Sequence, residues 1–437
     1  MKRPLAVSPF VVGWVLLLVA VVTFGCRSDE RFAATNGRAS IEATTTAPSQ
    51  QPPAQVVTEL PPKEPKPIQR PSPTPLYIPP TPTPLPVISR TLVFTGDVLS
   101  HTPVIAQALR YGAAPEVDTA GGGVVPLIYD YRPMFAELAP RLDRADLAIC
   151  VLETPVSADN IGLDGYPTFE APRELPDALA VAGYDGCSTA SNHSFDRNVD
   201  GIHVTLDQMD RVGLGHAGMA RSAAEAATPR IYDVDGVAVA HLSYTYSLNG
   251  FRLPEDQPWL VNLNEVDAIV DEATRAREAG ADLVVLSIQW GNEYQRKPSA
   301  EQLSLAASLT GSGMVDLIMG NHVHVVQPVA VVNDVPVVYG LGNSLSNQSD
   351  NCCRTGTQDG VLVEAIVIGN VDTGYRVSGL AFAPTWVDRS DYTIVDLLAA
   401  LDDPDLDPSV RLVYERSFER TVEAMHLLGW EIPLAAD

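Results

Sequence analysis

The sequence predicts an α/β domain built on parallel strands, and three observations carry that reading. Short apolar, β-branched runs alternate with amphipathic stretches of helical length. Apolar residues make up 46% of the chain, enough for a real core. Nearly every apolar run is followed by a metal-capable or hydrogen-bonding side chain, as happens where parallel strands present their carboxyl ends along one edge.

The chain has 437 residues, compatible with one large domain or two smaller ones. Its first part reads as an export signal. Lys2 and Arg3 precede an apolar stretch from about Phe10 to Phe24, and Gly25-Cys26 follows where a bacterial lipoprotein signal is cut and its cysteine lipidated. Residues 1–26 are therefore expected to anchor the chain, through lipid on Cys26, with an uncleaved helix or ordinary cleavage as the alternatives. Residues 27–86 change texture to Pro, Thr, Ala, Gln and Ser, with runs such as Pro79-Pro80-Thr81-Pro82-Thr83-Pro84. Such a segment lacks regular backbone donors and buries too little to offset its ordering entropy, so it reads as an extended spacer. An anchor and a spacer place the folded part on the extracytoplasmic face of the cell membrane.

The folded part begins with Thr91-Leu92-Val93-Phe94. The further strand candidates are Leu147 to Leu152, Leu283 to Ile288 and Val315 to Met319. Each is short and β-branched enough to be a buried strand. Glu265 to Ala279 has helical periodicity and ends on Gly280, a C-terminal cap signal. Strands alternating with helices imply parallel pairing with helices on the faces. Val335–Tyr339, Val361–Ile368 and Tyr375–Phe382 follow one another without helices, as further sheet strands. The domain is expected to span 87–389. Helical patterns around Thr393–Leu401 and Ser409–Leu428 predict a helical C-terminal appendage over 390–437.

The formal net charge of −25 argues against nucleic acid and against adhesion to anionic lipid heads. It is compatible with divalent cations and with a plain solvated surface. Five cysteines are too few for a disulfide scaffold and lack paired Cys-x-x-Cys spacing. A direct Cys352–Cys353 bond would be strained, so a bridge is expected to join one of them to another cysteine.

The chemistry lies where the strands end. The first candidate strand leads to Gly96-Asp97, with His101 shortly after, and the second to Glu153. Tyr184 to Ala190 leads to Ser191-Asn192-His193, with Asp196 beyond. The later strands lead to Gln289-Trp290-Gly291-Asn292-Glu293-Tyr294 and to Gly320-Asn321-His322-Val323-His324. Asp, Asn and several His around divalent ions suit phosphoester chemistry, in which metal activates water and steadies developing charge. The His322–His324 alternation predicts two rings on one side of an extended segment. His203, His216, His241 and His426 sit in no such motif and read as structural.

This ordered set resembles the bacterial capsule-synthesis CapA family, the poly-γ-glutamate accessory proteins. The resemblance covers about Leu92 to Phe382. It rests on Gly96-Asp97, Leu152-Glu153, Asn192-His193, Trp290 to Gln295, Gly320 to Pro328 and Tyr339-Gly340-Leu341-Gly342-Asn343. It implies a calcineurin-like metallophosphatase fold, a four-layer α/β/β/α sandwich. It also implies divalent metal ions (Mn, Fe or Zn) on Asp97, Glu153, Asn192, His193, His322 and His324, with His101 and Glu293 moving protons. Gln289, Trp290, Asp196 and Asn343 would stand behind the ligands or touch substrate. The family usually has His before Trp-Gly, whereas this chain has Gln289, and an amide binds transition metals worse than an imidazole. The implied roles are a surface metal-dependent hydrolase or, with Gln289 in its favour, a non-catalytic accessory protein. Its partner would be an extracellular anionic polymer or the synthase that makes it. A secreted phosphatase unrelated to capsule shares the chemistry. Arg296-Lys297 is the best local basic patch for an anionic ligand.

Overall fold

The computed structural model describes residues 85–112 and 128–436. The anchor segment 1–26, Cys26 with it, and nearly all of the spacer lie outside the described residues.

Fourteen described strands form two sheets. The first contains β1 (Ile88–Val98), β2 (Leu147–Leu152), β3 (Gly186–Ser188), β4 (Gly215–Ala217), β11 (Asn343–Leu345), β12 (Asp359–Asn370), β13 (Gly374–Asp388) and β14 (Thr393–Asp396). Its order is β14-β13-β12-β1-β2-β3-β4, with β11 also pairing β1. The second contains β5 (Arg230–Asp233), β6 (Ala238–Tyr244), β7 (Leu283–Gln289), β8 (Leu317–Asn321), β9 (Val326–Val332) and β10 (Val335–Leu341), in the order β5-β6-β7-β8-β10-β9. The strands joined through helices, β1 to β4 and β6 to β8, run parallel. The helix-free run after β8 forms antiparallel pairs β9–β10 and β12–β13.

The period-two alternation of a strand decides what each face meets. Leu92 and Phe94 of β1 and Leu147 and Ile149 of β2 share a core with Leu283 and Val285 of β7 and Leu317 and Met319 of β8. The two sheets therefore pack face to face. Val93, Ala148 and Cys150 point the other way, into a core with the helices Thr102–Tyr111 and Leu175–Ala182. Val284, Leu286 and Ile288 meet the helices Val266–Glu278 and Ala300–Gly311. The layers are helix, sheet, sheet, helix, the expected four-layer sandwich. Each fully buried aliphatic side chain in these cores contributes roughly 1.5–3 kcal/mol.

Three expectations need correction. Thr393–Leu401 does not form one helix: Thr393–Asp396 pairs antiparallel with β13, and only Leu397–Asp402 is helical. The β-branched Thr393, Ile394 and Val395 suit a strand, and Asp396 accepts from the Leu398 backbone as an N-cap. The C-terminal segment thus extends the first sheet before its long helix Pro408–Met425. The disulfide joins Cys150 and Cys187, paired on β2 and β3, and neither Cys352 nor Cys353 takes part. Strand β8 begins at Leu317, because Asp316 is occupied in accepting from Arg277 and from the Val284 backbone.

Candidate metal centre

The strand-end side chains converge because their strands share a direction. Asp97 ends β1, Glu153 follows β2, and Asn192 and His193 follow β3. Gln289 ends β7, and His322 and His324 follow β8. All seven are buried. Gly96 permits a close backbone approach: a Cβ there would sit 2.0 Å from the Gly342 carbonyl oxygen, so β1 and the β10–β11 turn could not meet.

Asp97, Glu153 and His324 offer ligand atoms that all lie within 4.8 Å of one another. It is the one such group of three or more His, Cys, Asp or Glu among the described residues. The fit to a cation rests on what these side chains leave unpaired. Asp97 Oδ1, Glu153 Oε2, Asn192 Oδ1 and His322 Nδ1 are buried without a hydrogen-bond partner. Leaving such atoms unpaired costs roughly 1–3 kcal/mol each, more for charged groups. All four are metal donors, two carboxylate oxygens, an amide oxygen and an imidazole nitrogen, so this site suits a divalent ion.

The electrostatics agree. Burial, with Asp97 adding to it, pushes the Glu153 carboxyl well above its usual range. Burial alone would lower His324, but Glu153 and Asp97 outweigh it and hold the imidazole up at about 9. A proton on His324 therefore supplies positive charge beside the buried acidic pair Asp97 and Glu153. Burial first, then His324 and His193, press His322 down to about 3, leaving it a neutral donor.

The supporting bonds are specific. His193 Nδ1 lies 2.8 Å from Asp196 Oδ2, which also accepts from the Phe169 backbone at 2.7 Å. His324 Nδ1 lies 3.0 Å from Asn343 Oδ1 and 3.2 Å from Asp97 Oδ2. Asp196 and Asn343 thus orient the rings of His193 and His324, as groups behind a metal's ligands would. Gln289 is occupied by protein. Its Oε1 accepts from the Asn192 backbone at 2.7 Å and from Thr245 Oγ1 at 3.0 Å, and its Nε2 donates to Glu153 Oε1 at 3.3 Å. It braces both Glu153 and Asn192 and has little left for a cation.

Trp290 is not at the site. It is buried against Tyr339, at 5.6 Å between ring centroids, and its indole N–H donates to the Tyr339 carbonyl at 2.8 Å. The His322–His324 segment is not extended either. His322 and His324 have φ of 86° and 56°, in the left-handed region, yet their ring centroids are 6.0 Å apart. A tight turn, not strand alternation, brings the rings together, and such backbone strain collects at functional sites.

A cavity of about 410 Å³ opens beside the cluster, lined by His101, His193, Glu293, Tyr294 and His324 among others. His101 is lowered to about 4, by burial first and by His324 next. Its Nδ1 lies 3.3 Å from the Asn347 backbone nitrogen and 3.4 Å from the Leu99 carbonyl oxygen. Among the described residues, no Lys or Arg lines this cavity. Arg296 turns its guanidinium to the Arg420 carbonyl and to Glu423, at 3.6 Å, so this half of the Arg296-Lys297 patch serves the C-terminal helix.

Three contributors were not assigned from sequence. Asn321 is buried with both side-chain amide atoms unpaired. Its place before His322 was the available signal. Tyr246 packs against His322 at 4.5 Å between centroids, and Asn249 Oδ1 accepts from Asn192 Nδ2 at 3.3 Å. Both follow β6 in a loop with no motif, so only the tertiary structure reveals them.

A two-sheet α/β sandwich with buried carboxylates and imidazoles at parallel strand ends defines a metallophosphatase-like protein. Residues 91–348 match the family described as bacterial capsule synthesis protein PGA_cap, and the chain belongs to that family. It is 27% identical over 282 residues to the capsule biosynthesis protein CapA of Bacillus anthracis, covering 63% of each chain. It is 31% identical over 194 residues to the PGA biosynthesis protein CapA of Bacillus subtilis, covering 44% of this chain and 49% of that one. The matches thus span about half to under two thirds of these relatives' lengths. Among solved structures, the calcineurin-like phosphoesterase YfkN from Bacillus subtilis aligns with a TM-score of 0.42 and 12% identity, over 77% of this chain and 99% of that one.

Proposed function

We propose that the protein serves capsule or poly-γ-glutamate synthesis at the cell surface as a metal-dependent hydrolase of a phosphoester or a polymer amide. The observation that carries this is the set of four unpaired buried donor atoms around the Asp97–Glu153–His324 group. The relatives' names supply the biological setting. Asp97, Glu153, Asn192, His193, His322 and His324 would hold the ion. A mixed nitrogen and oxygen set suits Mn, Fe or Zn. When bound, such an ion polarises substrate and lowers the pKa of water.

The chain's own groups do the rest. Asp196 and Asn343 fix the rings of His193 and His324. Gln289 holds Glu153. His101, neutral at physiological pH, faces the cavity in a position to move a proton, and the exposed carboxylate Glu293 lines the same space. Among the described residues no Lys or Arg lines the cavity, so the charge of an anionic substrate would be met chiefly by the metal. The partner would be an extracellular anionic polymer or its synthase complex. The N-terminal segment would hold the chain at the membrane as a lipoprotein. No described helix is long and apolar enough to cross one.

One observation favours a second reading, a non-catalytic accessory protein that binds polymer or synthase: Gln289 spends its amide on Glu153, Asn192 and Thr245. Elemental analysis of the soluble chain from Val87 onward separates the two, beside its His324→Ala variant and with a turnover assay on phosphoesters and γ-glutamyl polymer. Stoichiometric metal lost in the variant, with turnover lost in parallel, supports the hydrolase. Metal without turnover on any of these substrates favours the accessory reading, and no metal after reconstitution removes both metal roles.

A further inference from the structure

The loop that closes the cavity carries two adjacent cysteines that the metal site does not use. Cys352 is exposed and Cys353 partly so, both line the cavity, and their sulfurs are 2.8 Å apart. A tight turn holds them there: the backbone N–H groups of Cys352 and Cys353 both donate to the Ser349 carbonyl, at 3.2 and 2.9 Å. The Ser349 N–H donates to the Cys352 sulfur at 3.3 Å. The loop is also tied to the metal site, since Asn343 donates to Gln348 Oε1 at 3.0 Å and to the Thr357 carbonyl at 2.8 Å while its Oδ1 meets His324.

We propose that Cys352 and Cys353 form a redox-active vicinal dithiol at the mouth of the cavity, oxidised to a vicinal disulfide by a low-molecular-weight disulfide. The Cys352 thiolate attacks one sulfur of the small disulfide, forming a mixed disulfide and expelling one small thiolate. The Cys353 thiolate then attacks the Cys352 sulfur, closing the ring and expelling the second. Two protein thiols are oxidised, one small disulfide is reduced to two thiols, and the two protein protons pass to the leaving thiolates. Adjacent Cα atoms are about 3.8 Å apart, below the usual disulfide span of about 4.4–6.8 Å. The ring is therefore strained and readily reduced, a property of regulatory and not of structural bridges.

The two thiols differ as attacker and resolver should. Burial raises Cys352, but the Cys353 thiol, Ser349 and Arg389 outweigh it and bring it below the ordinary cysteine value. Cys353 is pushed up to about 11, by burial first and by Cys352 next. Closing the ring moves Cys353, which lines the cavity with Tyr294, and Tyr294 lies against His324 with ring centroids 6.1 Å apart. The state of the pair thus reaches the metal site, a link that rests on the proposed metal function.

The test treats the reduced, folded chain with oxidised glutathione and reads the peptide containing both residues by mass spectrometry. The expected result is a peptide lighter by two hydrogens with no glutathione attached, reversed by dithiothreitol. In Cys353→Ser the glutathione should remain on Cys352. A peptide that keeps glutathione on wild type, or stays reduced while denatured chain reacts, overturns the proposal. Manganese titration of both forms reads the link to the site: a several-fold change in Kd, absent in Cys352→Ser, is expected, and an equal Kd overturns the link. If manganese binds neither form, the metal reading has failed, and the peptide mass still decides the dithiol.

Discussion

The two sheets bring opposite chemistry to one seam. The eight-stranded sheet delivers the charge, through Asp97 and Glu153, together with Asn192 and His193. The six-stranded sheet delivers neutral groups, Gln289, Asn321 and His322, and one imidazole, His324, that is charged only because the first sheet's carboxylates hold its proton. Several bonds cross the seam. The His322 backbone N–H donates to Asp97 at 3.2 Å, His324 meets Asp97 and Asn343, and Gln289 meets Glu153 and Asn192. The second sheet is thus arranged around the first sheet's carboxylates. A cation needs the anionic half more than it needs any one group of the neutral half.

Removing Asp97 breaks the comparison most completely. Asp97→Ala takes a carboxylate from the cluster and the acceptor from the His322 backbone and the His324 ring. Metal in the purified chain should fall from stoichiometric to background, while His322→Ala should retain a measurable part. Elemental analysis of both variants checks this; equal retention would mean that the two halves contribute alike.

Acidity sharpens it next. The proton on His324 must leave before that ring nitrogen can share in holding a metal, so manganese affinity should rise about tenfold per pH unit up to about 9. The metal-free chain should behave oppositely. The folded His324 value, raised from 6.5, contributes stability fully present below 6.5 and lost as pH rises through about 9. Glu153, also raised, works in the same direction. Thermal unfolding with and without manganese from pH 6 to 9 should therefore diverge, and parallel curves would show that no proton is exchanged for metal.

Much of this was readable in the chain. Leu147–Leu152 forms a strand over the residues its apolar run marks out, and Glu265–Ala279 forms a helix within one residue at each end. The polar residue after each run lands at the shared edge because parallel strands leave no other place for it. What was not readable depends on long-range contacts. Trp290 sits beside the site in sequence, but its ring belongs to the second sheet's outer core. Ile394 and Val395 have a helical neighbour in Leu397–Asp402, yet β13 offers them a free edge. Tyr246 and Asn249 reach the site through a loop whose residues spell no motif.

The orienting residues behind the two halves should prove comparable, although one is charged and one is not. Asp196→Asn removes the carboxylate behind His193, and Asn343→Ala removes the amide behind His324. Each should weaken manganese binding by about 10–100-fold, the usual cost of losing a group behind a ligand. Asn343→Ala also frees the cysteine loop from two of its anchors, at Gln348 and Thr357. A much larger loss there than in Asp196→Asn would show that the loop itself supports the site.

Gln289→His makes the neutral half more like a ligand set, and its effect should be the smallest of these. An imidazole at the end of β7 gains a donor for a cation. It also gives up the amide that accepts from the Asn192 backbone and Thr245 and donates to Glu153. Those losses oppose the gain, since a buried N–H without an acceptor costs roughly 1–3 kcal/mol. The net expectation is a change of a few-fold in manganese affinity, with additional metal per chain if the ring points into the cluster. Competition titration with a chelating dye measures both quantities. A second equivalent of metal would show that the amide at 289 is what limits the second sheet's contribution. An unchanged stoichiometry with weaker binding would show that the bracing of Glu153 and Asn192 matters more than an extra nitrogen, and that Gln289 belongs to this site as built.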